Sequence, residues 1–544
     1  MRFLLCLKIF LVLATGHLSA ADLVDVPQLA VLIDRHLDER MKAEGIKAAE
    51  GIDDEAFLRR VTLDLAGRIP TVAERQAYLD QPDSDRTARR ETLVQRLLSS
   101  PDFPYHSRNQ LDILLLLRDA RDDAWREYLL EAARDNRGWD RIFREVFLPE
   151  DTLSEDLRPV SFIKQRLNDL DALTNESSVK WLGVNIGCAK CHDHPLVDDW
   201  TQDHYYGMTA FFKRTYRTKK GFLSERFEGL PKYTDIYGDE QQPGLMFLTG
   251  AKVEVPPLAH VGDELKKIQE DIKKAEKDDK AADPPRPDFR PRAKFVELAL
   301  TDHEKHFFSR NLVNRIWARL LGRGLVHPLD QMHSQNKPSH PALLDDLAAD
   351  VQASGYDMKR LVQAIVLTRA YARSLRLARS SESNRPELFA VSMARPLSPR
   401  QLSLSFRIAS ANPEKLTGLV GNDTWGEQRD ELEKQSEKTA RLLTIPDDGF
   451  QVPVTEALWF SNNPSIQNDL LSGSNDRLVG YLKGMDSDTE ALTAAFLAVL
   501  SRQPAEEEST MIQHYLSERG DRREEGMKQV VWALLATPEF RFNH

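Results

Sequence analysis

Cys188 and Cys191, three residues apart and followed at once by His192, carry the most chemistry for their length in this chain. The sequence holds three cysteines, and Cys6 sits in an apolar N-terminal leader. Once that leader is set aside, every thiol falls within four positions. Cys-x-x-Cys-His is the spacing of a c-type haem attachment, in which the thiols form thioethers with the porphyrin and the adjacent imidazole takes the iron. Cys188, Cys191 and His192 are then the cofactor-binding set, with His194, His204, Met208 or a residue of the second half as candidates for the sixth position. The same stretch admits a metal site, in which His192, His194 and His204 supply nitrogen donors beside Cys188 and Cys191 in a Cys2His2 set suited to zinc. A short disulfide in an oxidising compartment is the third reading, with the histidines only hydrogen-bonded.

The elements that must position these groups read as helical. Apolar residues between Glu176 and Ile186 recur at helical spacing, which predicts a helix with Gly187 as its stop and the cysteines at its C-terminal end. Trp200, Tyr205, Tyr206, Phe211 and Phe212 follow, either as an aromatic wall for a porphyrin or as ordinary core. Asp203 and His204 lie about three turns beyond the cysteines.

The whole chain of 544 residues is long enough for two or three domains. Its 41% hydrophobic and 29% charged residues describe a globular protein. The formal charge of -11 argues against nucleic acid as a partner. Residues 1–21 combine Arg2 and Lys8, a run from Ile9 to Ala14 and small residues at Ser19, Ala20 and Ala21, which reads as a secretory signal peptide cleaved near Ala21. An uncleaved anchor is the alternative. The chain is expected to be exported, periplasmic or extracellular, with no membrane span after signal removal.

The expected fold class is mainly α, a multi-helical two-domain architecture with a small β-hairpin-containing insertion between the halves. Residues 22–215 form the N-terminal helical domain with the Cys-x-x-Cys-His stretch. Residues 216–292 hold a β-containing segment, a charged helix and a Pro-rich linker, and residues 293–544 form a C-terminal helical domain. Within the first domain, Asp53 and Asp54 cap a helix. Thr71 with Glu74 forms a capping box. Leu111 to Leu117 reads as a helix buried all round, and Trp139-Asp140-Arg141 as a turn. Leu245–Leu248 and Lys252–Val255 read as a hairpin, and Asp263 to Asp283 as a solvated helix. In the second half, Arg310, Asn314 and Arg315 sit in an apolar helix, as an anion site or as ion-paired scaffolding. The polar loop from Asp330 to Pro341 brings Met332, His333 and His340.

One internal echo stands out. Gly67 to Glu74, then Tyr78-Leu79 and a helix closing on Ser100-Pro101-Asp102-Phe103, is matched by Ser501 to Glu508, Tyr515-Leu516 and a helix closing on Thr537-Pro538-Glu539-Phe540. The period is irregular, so this is a recurring helical hairpin with a packing role and no solenoid.

These stretches together resemble the planctomycete cytochrome-like family, large secreted bacterial proteins built from two consecutive domains of unknown function. The resemblance rests on Phe57-Leu58-Arg59-Arg60 with Leu65 to Thr71, on Cys188 to Pro195 with Asp203 to Tyr206, and on Asn311 to Trp317. Pro338 to Pro341, Leu397 to Leu402 and Glu539 to His544 extend it over nearly the whole mature chain. It implies a cytochrome-like first domain, a label that itself derives from the Cys-x-x-Cys-His pattern; haem c at Cys188, Cys191 and His192, and a redox partner protein, are expected from that spacing. The other function carried forward is a non-haem secreted scaffold or binding protein, linked to extracellular polymer degradation. A hydrolase finds no Gly-x-Ser-x-Gly, His-Glu-x-x-His or phosphate loop to rest on.

Overall fold

Asp53 accepts a hydrogen bond from the Ala56 N–H at 2.8 Å and opens the helix Asp54–Leu65, one of a series of short capped helices. In the computed structural model, residues 23–544 are described apart from 82–84, 117–121, 153–155, 196, 236, 376–384, 447–452 and 465. The leader therefore lies outside the described residues. The capping box expected at Thr71 is present: Thr71 Oγ1 accepts from Glu74 N at 3.2 Å, and Glu74 Oε2 accepts from Thr71 N at 2.8 Å. The fold is mainly α, with only small two-stranded antiparallel ladders among the described residues. Leu245–Met246 pairs with Lys252–Val253, a shorter version of the expected hairpin. The charged stretch forms the helix Gly262–Ala275 and buries Ile268, Ile272 and Ala275 on one face.

Two sequence expectations are corrected. Trp139 does not sit in a turn: it is the first residue of the helix Trp139–Phe147. The turn lies just before it, where Asn136 takes φ 48° and Gly138 lets the backbone approach Gly355, whose carbonyl oxygen would lie 2.4 Å from any Cβ. The helix Asp102–Leu116 is not buried all round either. Leu111, Leu115 and Leu116 are buried, whereas Ile113 and Leu114 are half-exposed along a cleft.

Buried residues show how the halves combine. The largest core joins Leu29, Phe57, Trp139 and Trp181 to Phe295, Trp317 and Ile365. Residue 293 is therefore not a core boundary, because helices from both sides of it bury their apolar faces on one another. Trp181 stacks on Trp139 at 4.4 Å and meets Phe143 at 5.0 Å, contacts each worth about 0.5–1.5 kcal/mol beyond the area they bury. A second core holds Phe406, Phe496, Val531 and Phe540, and Leu63 and Ile69 enter it from the first half.

The internal echo has a three-dimensional counterpart. Arg68 grips both Glu74 oxygens at 2.7 Å and Asp102 at 2.9 Å. Arg502 likewise grips Glu508 at 2.8 and 2.9 Å and Glu539 at 2.6 and 2.8 Å. In each unit the arginine ties the start of one helix to the acid just past the end of the next. The first unit is fully buried and continues through Arg429, which pairs with Asp102 at 2.9 Å and Glu433 at 2.7 Å.

Candidate functional site

Asp169 caps the helix Leu170–Ser177 by accepting from Ala172 N at 2.9 Å, and a π-turn Ser178–Leu182 continues it. Gly183, at φ 72°, ends the run. A Cβ there would lie 2.8 Å from Asn311 Oδ1, so two requirements select glycine. The expected stop at Gly187 is thus corrected to Gly183. Gly187 instead begins a separate 3-10 turn, Gly187–Lys190, that carries Cys188.

Between the two glycines the chain is fixed from both sides. Asn175 Oδ1 accepts from Ile186 N at 3.2 Å, and Asn185 Oδ1 accepts from Gly187 N at 3.1 Å. From the second half, the Asp330 carbonyl accepts from Asn185 N at 2.8 Å and Asp330 Oδ2 accepts from Asn185 Nδ2 at 3.0 Å. Met332 N donates to the Gly183 carbonyl at 3.1 Å, and Ser334 N donates to Asp199 Oδ2 at 2.7 Å. The polar loop from Asp330 to Pro341 meets the first half through Met332 and His333, among others. His340 lies elsewhere, beside Ser339 and Phe389. Arg310 pairs with Asp345, Asn314 bonds both backbone groups of Val326, and Arg315 donates to the Val179 carbonyl at 2.5 Å. These three residues are scaffolding.

The turn is pinned by Ala189, fully buried, while Cys188 and Cys191 are exposed free thiols. His192 is exposed, and its Nδ1 lies 2.6 Å from the Asp193 carbonyl oxygen. A carbonyl can only accept, so Nδ1 carries the proton and Nε2 keeps its lone pair in the neutral ring. This tautomer leaves Nε2 as the nitrogen able to ligate a metal. Asp193 Oδ1 in turn accepts from Gln202 N at 3.0 Å, and Gln202 Nε2 donates to the Lys190 carbonyl at 3.3 Å. The first turn of the helix Gln202–Ala210 therefore holds the segment that presents His192.

The other candidates are engaged differently. His204 Nδ1 accepts from Thr201 N at 3.2 Å and caps that helix, which leaves the proton on Nε2 and takes its ligand lone pair. Burial pushes the His204 and His194 pKa values down. His194 is buried against Trp200, ring centroids 5.8 Å apart, with His333 at 6.4 Å. Met208 lies in the core at 0% exposure. Among the described residues no group of three or more His, Cys, Asp or Glu side chains is gathered as a metal site. Trp200, Tyr205, Phe211 and Phe212 are core, and only Tyr206 is half-exposed, stacked on Tyr233 at 4.3 Å.

One cluster beside the thiols gave no sequence signal. Asp171 accepts from Lys190 Nζ at 2.5 Å and from the Tyr205 hydroxyl at 2.7 Å. The Lys190 ammonium holds the Asp171 carboxyl below its ordinary range. Burial and then Asp171 raise the Tyr205 phenol. Their separation along the chain hid the trio.

In donor type and spacing, though in nothing more, Cys188, Cys191 and His192 are the set that a covalently attached haem would use. Two free exposed thiols stand at thioether spacing, and the next residue is an imidazole in the ligating tautomer. Cys188 and Cys191 would hold the macrocycle and His192 Nε2 would take the iron. The zinc set fits less well, since His204 is committed to its helix and His194 is buried against Trp200.

The fold is mainly helical, with small two-stranded antiparallel ladders among the described residues. A family model described as a protein of unknown function, DUF1549, matches residues 32–217. A second, also described as a protein of unknown function, DUF1553, matches residues 291–452. The chain therefore carries these two domains in tandem. No curated protein and no solved structure matches it. No helix among the described residues is long and apolar enough to cross a membrane.

Proposed function

We propose that the chain is an exported c-type haem protein, working in electron transfer or a haem-assisted redox reaction, of the planctomycete cytochrome-like kind. The observation that carries the reading is the 2.6 Å contact from His192 Nδ1 to the Asp193 carbonyl, beside two free exposed thiols. Haem bound there would supply a one-electron couple at the protein surface. The chain's own part is to hold the ligand ring. Asp193 fixes the His192 tautomer, Gln202 fixes Asp193, and Asn185 with Asp330 sets the turn that presents both thiols. An exposed site suits exchange with a redox partner protein, which meets the turn without opening the fold. The leader-like residues 1–21 support export, since haem c is attached outside the cytoplasm.

The test is intact mass of protein made in a host that attaches haem c. The expected result is a gain of one haem per chain, lost in the Cys188→Ala/Cys191→Ala variant. A loss of two hydrogens in place of that gain would assign the pair to a disulfide and leave a non-haem scaffold, the alternative reading.

A further inference from the structure

A cleft of about 420 Å3 opens between the helix Asp102–Leu116 and the helix Phe307–Leu321, away from the thiols. Its walls are largely apolar: Leu111, Ile113 and Leu114 on one side, Leu312 and Ile316 on the other, with Val362 nearby. Five cationic side chains also line it: Arg137, Arg315, Arg319, Arg323 and Lys359. No acid does so among the described residues, in a chain whose formal charge is -11.

Three of those cations have partners inside the protein. Arg137 pairs with Glu131, Asp135 and Glu145, Arg315 donates to Val179 and Asn311, and Lys359 lies over the Phe103 ring at 5.6 Å. Arg319 differs. Its Nε is buried with no hydrogen-bond partner, and among the described residues its guanidinium makes no ion pair. The acid it feels most, Asp64, is held in two bonds by Arg395 at 2.7 and 2.8 Å and by the Tyr371 hydroxyl at 2.6 Å. Burial pulls the Arg319 pKa down to about 10. Arg319 is half-buried and carries its charge at the cleft wall without an ion-pair partner among the described residues, so an anion entering the cleft would meet it in a charge-assisted bond.

We infer that this cleft binds a small amphiphilic carboxylate, its apolar body against Ile113, Leu114 and Ile316 and its carboxylate on Arg319. A cavity of about 420 Å3 suits a ligand with an alkyl body of about ten carbons. The inference is independent of haem attachment.

Isothermal titration of the full chain with decanoate and with decanol tests it. Decanoate binds one per chain and at least tenfold more tightly than decanol, the factor that one buried charge-assisted contact supplies. Arg319→Gln removes that preference and leaves decanol unchanged, and Leu114→Trp, which fills the apolar wall, abolishes both. Equal affinity for the two ligands on the unaltered chain, or absence of decanoate binding, overturns the inference without reference to any variant. So does an Arg319→Gln protein that folds and keeps the preference.

Discussion

Asn185 and Asp330 are joined twice, by a backbone bond of 2.8 Å and a side-chain bond of 3.0 Å, although they belong to different halves of the chain. Through this pair the second half sets the position of the turn that carries both thiols. Asp330→Ala removes the side-chain acceptor and keeps the backbone one. It is expected to cost about 0.5–1.5 kcal/mol, the net worth of one half-buried hydrogen bond, measured by denaturant unfolding. The same variant should raise the rate at which Cys188 and Cys191 react with a thiol reagent, since the turn loses an anchor.

Gly183 and Gly187 separate by backbone conformation. Gly183→Ala places a Cβ at φ 72° and 2.8 Å from Asn311 Oδ1, and should destabilise by more than about 1 kcal/mol. Gly187→Ala meets its nearest side-chain atom at 3.3 Å with an ordinary φ and should cost less. A reversed order in thermal unfolding would return the helix stop to Gly187.

His192 and His204 should divide function from stability. His192→Ala removes an exposed ring and is expected to leave thermal unfolding unchanged while removing iron ligation. His204→Ala removes a helix cap and should cost about 0.5–2 kcal/mol. Parallel melting curves and haem contents for the two variants check the division.

Acid sensitivity follows from buried charge. His106 is buried, and desolvation with the nearby Arg319 pushes its pKa down from 6.5 to about 3. The folded chain then binds fewer protons than the unfolded one between those values, so His106 subtracts stability as pH falls from 6.5 toward about 3. His106→Gln should flatten the acid limb by about 1.4 kcal/mol per pH unit in that window. Glu433 adds to the limb at lower pH: burial alone would raise it, but Arg429, Arg108 and Arg400 hold it well below the usual carboxylate range. Its contribution is present above the unfolded carboxylate value and is lost as pH falls through the folded one. Unfolding followed from pH 7 to 3 on both proteins makes the measurement.

Arg68 separates repeat packing from incidental pairing. Arg68→Met leaves the buried Glu74 without an ion-pair partner and Asp102 with Arg429 as its remaining cation, and should cost about 3–5 kcal/mol. Arg502→Met leaves half-exposed acids and should cost far less. Denaturant titration of the two variants gives the comparison.

Much of the helical fold was legible because its signals are local. Thr71 and Glu74 announce their capping box within four residues, and Asp53 does the same for the next helix back. The Cys188, Cys191, His192 set was equally local. What escaped was decided at a distance. The choice between Gly183 and Gly187 rests on Asn311, and the tie of the turn to the body rests on Asp330. The tandem echo of Arg68 and Arg502 was visible as sequence, but its ion pairs needed Asp102 and Glu539 brought back in space. Ile113 and Leu114 looked like core because hydrophobicity does not distinguish a packed face from a cleft wall.

The most direct test of the central claim is a pyridine haemochrome spectrum of the purified, acid-washed protein from a haem-attaching host. The account predicts a c-type spectrum that survives the wash, at one haem per chain, and vanishes when Cys188 and Cys191 are both alanine. A folded, intact protein that shows no haem absorbance in that host would contradict it.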